Sequence, residues 1–272
     1  MEHFSTLWHE TRKKKNSAIV AGLDRSTTID FATGETVDLY TWACSYIDAV
    51  APYVSAIKFN QAFYQGVGQR TQLKELVQRT HTHGLLAISD NKFADIGSTN
   101  DAWIYSNKQL GFDAVTCAPY AGNIAESIEA AHKAGIAIIT MGMMSNPEFQ
   151  NEMHFVHNET KEALWHYRVR TSLDAQVDGI VIGGTYTSDN PDFQECVQLT
   201  KESNCLFLIP GIGFQGGSVD NFLSSGIDPR RCMISASRSI MFPDGVDSTP
   251  TAQAKATQVL QTTFNNVAYG TN

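Results

Sequence analysis

The chain has 272 residues, 42% of them hydrophobic and 18% charged, with a formal net charge of −8. That length is close to the roughly 250 residues of one (β/α)8 barrel, two small domains being the other division it allows. The acidic balance excludes the broad basic footprint that nucleic acid or an anionic membrane requires, so a phosphate ligand would need a local basic or backbone N–H site.

The first fifteen residues, MEHFSTLWHETRKKK, lack the apolar core of a signal peptide, and the basic run Arg12–Lys15 reads as a solvated helix end. A strand is then expected at Ala18–Leu23, a helix over Val37–Ala51 and a strand at Val54–Phe59. A helix over Gln69–His83 stops at Gly84 before a strand at Leu85–Ser89. Next come a strand at Ala114–Ala118, a helix over Asn123–Ala134 stopped by Gly135, and a strand at Ile136–Met141. The longest stretch without a clear strand, Gly142 to Asn158, reads as a long βα loop and a candidate lid. Helices at Thr160–Gln176, Pro191–Ser203, Val219–Ser224 and Thr251–Asn265 alternate with strands at Gly179–Ile182, Leu206–Ile209 and Cys232–Ser235. The eight strand candidates are short, rich in β-branched residues and bounded by Gly, Asp, Pro or Ser, as strands buried on both faces are. Eight strands alternating with helices predict a single-domain (β/α)8 TIM barrel over residues 1–272, with a doubly wound open sheet as runner-up. No G-x-G-x-x-G follows the first strand, which counts against the dinucleotide-binding form of that runner-up.

The five cysteines are irregularly spaced and form no C-x-x-C, and several sit in apolar runs, so they read as buried free thiols in a reducing cytoplasm. No apolar run approaches a membrane-spanning length. The eight histidines form no H-E-x-x-H, and none falls at a predicted strand end. His154 and His157 in the long loop are left open as ligand contacts.

Barrel active sites form at the C-terminal ends of the strands, and here those ends carry the chemistry. The first strand ends at Asp24, and the second carries Lys58 and runs to Asn60. The third leads into Asp90-Asn91-Lys92-Phe93-Ala94-Asp95-Ile96, and the fifth into Ser145-Asn146-Pro147. Asp90 and Lys92, two residues apart, share a face if the strand continues, and Lys58 can complete an alternating Lys–Asp–Lys–Asp array with Asp95. An isolated buried charge is very costly, so these residues need one another. Taken alone, D-x-K-x-x-D is equally a neutral ion-pair network that holds a loop. Beyond the seventh strand stands Pro210-Gly211-Ile212-Gly213-Phe214-Gln215-Gly216-Gly217, whose glycines permit the close backbone approach of an anion nest. Arg238 follows the eighth strand and can hold a phosphate in a bidentate way, at the habitual phosphate position of such barrels. The other reading is a Gly-rich turn with a surface Arg.

These segments, together with Gly97-Ser98-Thr99 and Ala236-Ser237-Arg238, resemble orotidine 5'-phosphate decarboxylase, in order from the first strand to the eighth. D-x-K-x-x-D-I belongs to a wider superfamily, and its combination with P-G-I-G-x-Q-G-G and A-S-R-S is more specific. The resemblance implies a cofactor-free, metal-free enzyme that converts orotidine 5'-phosphate to uridine 5'-phosphate in pyrimidine biosynthesis. It further implies a homodimer with shared active sites. Lys58, Asp90, Lys92 and Asp95 would be the catalytic array, with Asp95, Ile96 and Thr99 entering from the partner. Asp24 and Lys58 would bind ribose, Asn60 would lie by ribose or base, Ser145 would bond the pyrimidine, and Gln215 and Arg238 would hold the phosphate beside Pro210, Gly211, Gly213, Gly216 and Gly217. Two alternatives stand beside it. One is a Mg2+-dependent sugar-phosphate decarboxylase or aldolase, which would need an extra carboxylate where Asn60 and Gln61 stand. The other is a non-catalytic phosphate-ligand barrel.

Overall fold

A computed structural model describes residues 3–25, 38–64, 68–212, 217–243 and 249–270. Helix α1 (Phe4–Lys15) precedes β1 (Ile19–Leu23), α2 (Leu39–Val50), β2 (Ala56–Asn60) and a 3-10 turn (Gln61–Phe63). Next come α3 (Gln69–Thr82), β3 (Leu86–Phe93), α4 (Gly97–Leu110), β4 (Ala114–Cys117), α5 (Ile124–Ala134) and β5 (Ala137–Met143). The second half comprises α6 (Pro147–Glu152), α7 (Leu164–Asp174), β6 (Gly179–Ile182), α8 (Pro191–Leu199), β7 (Leu206–Pro210) and α9 (Val219–Leu223). A second 3-10 turn (Pro229–Arg231) leads to β8 (Cys232–Ala236), α10 (Arg238–Met241) and α11 (Pro250–Tyr269). The eight strands are parallel and close in sequence order, β8 pairing with β1, which is the expected TIM barrel.

The strands are apolar because both faces are covered, the inner by the barrel interior and the outer by the helices. All five residues of β1 are buried, as are all four of β4 and of β6. Trp8, Trp165, Tyr46, Phe59 and Phe112 are among the largest wholly buried side chains, each worth about 1.5–3 kcal/mol on burial. Left-handed glycines follow the helices as expected, Gly84 at φ +67° and Gly135 at +74°.

Helix α1 lies across the N-terminal end of the barrel. Its Trp8 indole donates to the Arg230 carbonyl at 3.2 Å, just before β8, and its N-cap His3 lies 3.8 Å from Asp178, just before β6. The opposite, C-terminal end is left for the site. All five cysteines are free, and four of them are buried.

Two expectations are corrected. The stretch from Gly142 to Asn158 is not structureless. β5 runs on to Met143, Pro147 opens α6, and Val156 forms an antiparallel bridge with Ala163. Buried Met153 anchors this excursion, and its carbonyl accepts Trp165 N–H at 3.1 Å. Helix α4 was absent from the predicted elements because its buried face includes Asn100 and Asn107, which interrupt the apolar periodicity.

Candidate active site

The charged array begins inside the barrel. Lys58 stands level with Gly22 of β1 and Ile88 of β3, while Asn60 stands level with Asp90. The Lys58 stem therefore rises two residues to bring Nζ 2.7 Å from Asp90 Oδ2 and 3.7 Å from Asp24 Oδ1. The other Asp90 oxygen is in close ion-pair contact with Lys92 Nζ. The order is Asp24, Lys58, Asp90, Lys92: alternating charges of zero net sum, with Lys58 buried, Asp90 mostly buried and Lys92 exposed at the open end. Two unit charges 4 Å apart attract by about 4 kcal/mol at an effective dielectric of 20, enough to offset much of the desolvation that buried ions suffer.

The protonation states follow. Burial alone would push the Asp90 carboxyl up, but Lys58 and then Lys92 outweigh it and hold it below the usual carboxylate range. Burial alone would lower Lys58, but Asp90 and then Asp24 hold it above the usual ammonium range. Both are charged at neutral pH.

Lys92 does not reach Asp90 along a regular strand. Pairing with β4 passes from Ser89 opposite Val115 to Phe93 opposite Cys117, so β3 bulges between them. Lys92 sits at φ +53°, a left-handed conformation that is uncommon for a residue with a Cβ and costs on the order of 1–3 kcal/mol. The bulge, rather than two-residue alternation, turns the ammonium back over Asp90.

Asp95 stands apart within its own chain. Among the described residues, no ion pair joins it to Lys58 or Lys92, and its carboxylate accepts Ile96 N–H at 2.8 Å. Its backbone is held firmly: Asn100 accepts Asp95 N–H at 3.1 Å and donates to the Asp95 carbonyl at 2.6 Å, and Asn123 donates to the same carbonyl at 3.2 Å. Ile96, 62% exposed, and Thr99 in the first turn of α4 also face outward from the chain.

Around the array, Asn60 caps the first 3-10 turn by accepting Ala62 N–H at 3.2 Å. Ser145, half-buried between β5 and α6, packs over Gly183 so tightly that a Cβ there would lie 2.8 Å from Ser145 Cβ. Pro210 ends β7 opposite Ser235. Gly211, at φ +95°, accepts Gly217 N–H at 3.2 Å, and a Cβ on Gly217 would stand 2.4 Å from the Gly184 carbonyl. The stems of the Gly-rich loop are thus closed against Gly184 of the β6–α8 connection. Gly213, Gln215 and Gly216 lie outside the described residues. Arg238 is exposed at the first position of α10, directly beyond β8.

Sequence reasoning missed Gly183 and Gly184, whose signal was a G-G pair at a strand end. It also missed Gly22, where a Cβ would collide with Ser237 Oγ at 1.9 Å. His154 and His157 are both engaged, His154 Nε2 2.8 Å from Asp192 Oδ2 and His157 stacked on Tyr167 with centroids 4.0 Å apart. Among the described residues, no group of three or more His, Cys, Asp or Glu side chains is arranged to hold a metal ion.

The family model described as orotidine 5'-phosphate decarboxylase / HUMPS family matches residues 17–224. The orotidine 5'-phosphate decarboxylase of Porphyromonas gingivalis is 30% identical over 210 residues, 74% of each chain. That of Phocaeicola vulgatus is 25% identical over 270 residues, 95% of this chain and 96% of the relative. Leishmania donovani OMP decarboxylase has the same fold, with a TM-score of 0.76 at 22% identity over 98% of this chain and 99% of that one. Leishmania donovani UMP synthase aligns at a TM-score of 0.78 and 24% identity, and the present chain spans 57% of its length.

Proposed function

The chain belongs to the orotidine 5'-phosphate decarboxylase / HUMPS family, and we infer that it decarboxylates orotidine 5'-phosphate to uridine 5'-phosphate. One observation carries the reading: Lys92 ends an alternating ion ladder at the open end of the barrel, gripped by a carboxylate that Lys58 keeps charged. Breaking the C6–carboxylate bond leaves its electron pair on an sp2 carbon with little resonance stabilisation. An ammonium already oriented there stabilises that pair without reorganisation. Carbon dioxide leaves, a proton passes from Lys92 Nζ to C6, and a proton from solvent restores the ammonium. Asp90, where the departing carboxylate would sit, disfavours the substrate more than the transition state.

Asp24 and Lys58 are suited to ribose hydroxyls, Asn60 to ribose or base, and Ser145 to the pyrimidine. Pro210, the Gly-rich loop with Gln215, and Arg238 are suited to the 5'-phosphate. A homodimer with shared sites is part of the proposal. Its support is that Asp95 is held rigidly yet lies outside its own array, beside exposed Ile96 and not far along α4 from half-exposed Trp103. Four buried free thiols suit a reducing cytoplasm, and no described helix is long and apolar enough to cross a membrane. A Mg2+-dependent sugar-phosphate reading lacks its extra carboxylate: Asn60 is a cap, and Gln61 is buried, donating to Ser89 Oγ at 2.8 Å.

The test is the loss of orotidine 5'-phosphate absorbance with purified protein, with and without EDTA. Turnover indifferent to EDTA is expected. No turnover of a well-folded chain, or turnover abolished by EDTA, overturns the reading.

A further inference from the structure

We propose that Thr116 on β4 is a positioning residue for the reaction, its hydroxyl holding the β3 bulge so that Lys92 and Asp90 stay aligned on the reacting carbon. The inference rests on the decarboxylase reading and adds a residue to it.

Between the pairs Ser89–Val115 and Phe93–Cys117, three residues of β3 stand opposite the single residue Thr116. A regular ladder would give the extra β3 amides carbonyl acceptors; the bulge removes them. The Thr116 hydroxyl takes their place, accepting Asn91 N–H at 3.0 Å and Lys92 N–H at 2.9 Å. It donates its own proton to Asp90 Oδ1 at 3.3 Å, on the oxygen that also meets Lys92 Nζ. A hydroxyl has one proton and two lone pairs, and all three are used here. Thr116 is 1% exposed, so water has little access to replace it.

One buried side chain therefore ties together the backbone of the proton donor, the left-handed turn that aims it, and the carboxylate that orients its ammonium. Such a turn at a residue with a Cβ persists only where its surroundings over-determine it. Asp90 faces Lys58 from β2, with Asp24 beyond it, and Lys92 from its own strand, while β4 contributes the neutral hydroxyl of Thr116. Valine at 116 would keep the shape and remove all three bonds; serine would keep the bonds and lose a methyl.

The experiment compares the full chain with Thr116→Val and Thr116→Ser. The readouts are kcat and KM on orotidine 5'-phosphate across pH, and acetic anhydride labelling of Lys92 measured by mass spectrometry against Lys133. A misplacement of about 1 Å costs about 100-fold, so Thr116→Val should lose roughly 10- to 100-fold in kcat with KM within about threefold. The acid limb of its kcat profile should move to higher pH, because the Asp90 carboxylate loses a donor to its charged form. Lys92 labelling should change, and Thr116→Ser should restore every readout. Unchanged kcat and acid limb in Thr116→Val overturn the proposal. So does a rise in KM at constant kcat, which makes Thr116 a substrate contact, or a serine variant as impaired as the valine one, which makes the methyl the important group. If the wild type itself turns nothing over, the decarboxylase reading fails. Lys92 labelling then still decides the hold of Thr116 on Lys92, and identical labelling in Thr116→Val sinks it. Should Thr116→Val not fold, Thr116→Cys, a weaker donor and acceptor of similar size, carries the same expectations.

Discussion

Lys58 Nζ lies 2.7 Å from Asp90 Oδ2 and 3.7 Å from Asp24 Oδ1, so a single buried ammonium separates two carboxylates at the mouth of the barrel. Lys58→Met should therefore do more than remove a contact. Deleting one partner of a buried ion pair leaves an uncompensated charge and costs about 3–5 kcal/mol. The sign of its pH dependence follows. In the wild type, Asp90 is held below its usual range, so its contribution is present at neutral pH and lost as pH falls through the folded value. In the variant, burial is opposed by Lys92 and the Thr116 hydroxyl without Lys58, Asp90 rises, and protonating it relieves the site. The gap in Tm between wild type and Lys58→Met should narrow from about pH 7 to about pH 5. Melts at both values check it; a gap that stays constant or widens removes the charge argument.

The rigid yet outlying position of Asp95 leads to a mixing experiment. A chain carrying Asp95→Ala and a chain carrying Lys92→Ala should each be nearly inactive. In a two-fold dimer that shares its sites, each hybrid has one intact site and one doubly damaged site. Equal mixing makes about half the dimers hybrid, which gives about a quarter of wild-type turnover. Native mass spectrometry establishes that the subunits have exchanged. Exchange without recovered activity argues that each chain builds its site alone.

The strands were legible because burial on both faces leaves a mark that polar periodicity does not blur: Gly179–Ile182 is a strand at the expected bounds. Asp24, Lys58 and Asp90 were legible for a related reason, since an ionisable residue next to a wholly apolar strand needs a partner. What was hidden depends on backbone geometry or on polar packing. Nothing in Asp90-Asn91-Lys92 announces a bulge or a left-handed lysine, and Thr116 looks like any β-branched strand residue. Helix α4 hides because Asn100 and Asn107 are buried for their hydrogen bonds, to the Asp95 backbone and to the Trp103 carbonyl.

The N-terminal end of the barrel carries a repeated device that is independent of the chemistry. His132, near the end of α5, meets Asp178 at 2.9 Å, and His81, near the end of α3, meets Asp113 at 3.0 Å. Each aspartate precedes a strand and accepts a backbone N–H of the strand before, Ile138 for Asp178 and Ala87 for Asp113. The hydrogen bond to its aspartate raises each histidine above its ordinary value, more than burial lowers it. A raised pKa means stabilisation that is complete below the unfolded value and lost as pH rises through the folded one. The stability difference between wild type and His132→Gln should be largest below about pH 6 and shrink above neutrality. Denaturant melts across that range check it, and a difference that grows with pH reverses the assignment.

The proposed phosphate contact of Arg238 offers a test that separates binding from chemistry, because the 5'-phosphate is remote from C6. It opens α10 beyond β8, while the closed stems Gly211 and Gly217 lie beyond the neighbouring β7. A charge-assisted contact is worth about 1.5–3 kcal/mol, so Arg238→Ala should lower kcat/KM by about 10- to 150-fold. The loss grows if phosphate binding also orders the site, since remote binding energy is then used in the transition state. The deciding control is the nucleoside, which lacks the phosphate. Wild type and Arg238→Ala should handle it almost equally poorly, because the nucleoside brings no phosphate to the guanidinium. A variant as impaired toward the nucleoside as toward the nucleotide would mean that Arg238 supports the fold or the chemistry, and the phosphate would then need another cation. Rescue of the wild type on the nucleoside by added phosphite, absent in Arg238→Ala, would locate the lost energy in the anion contact itself.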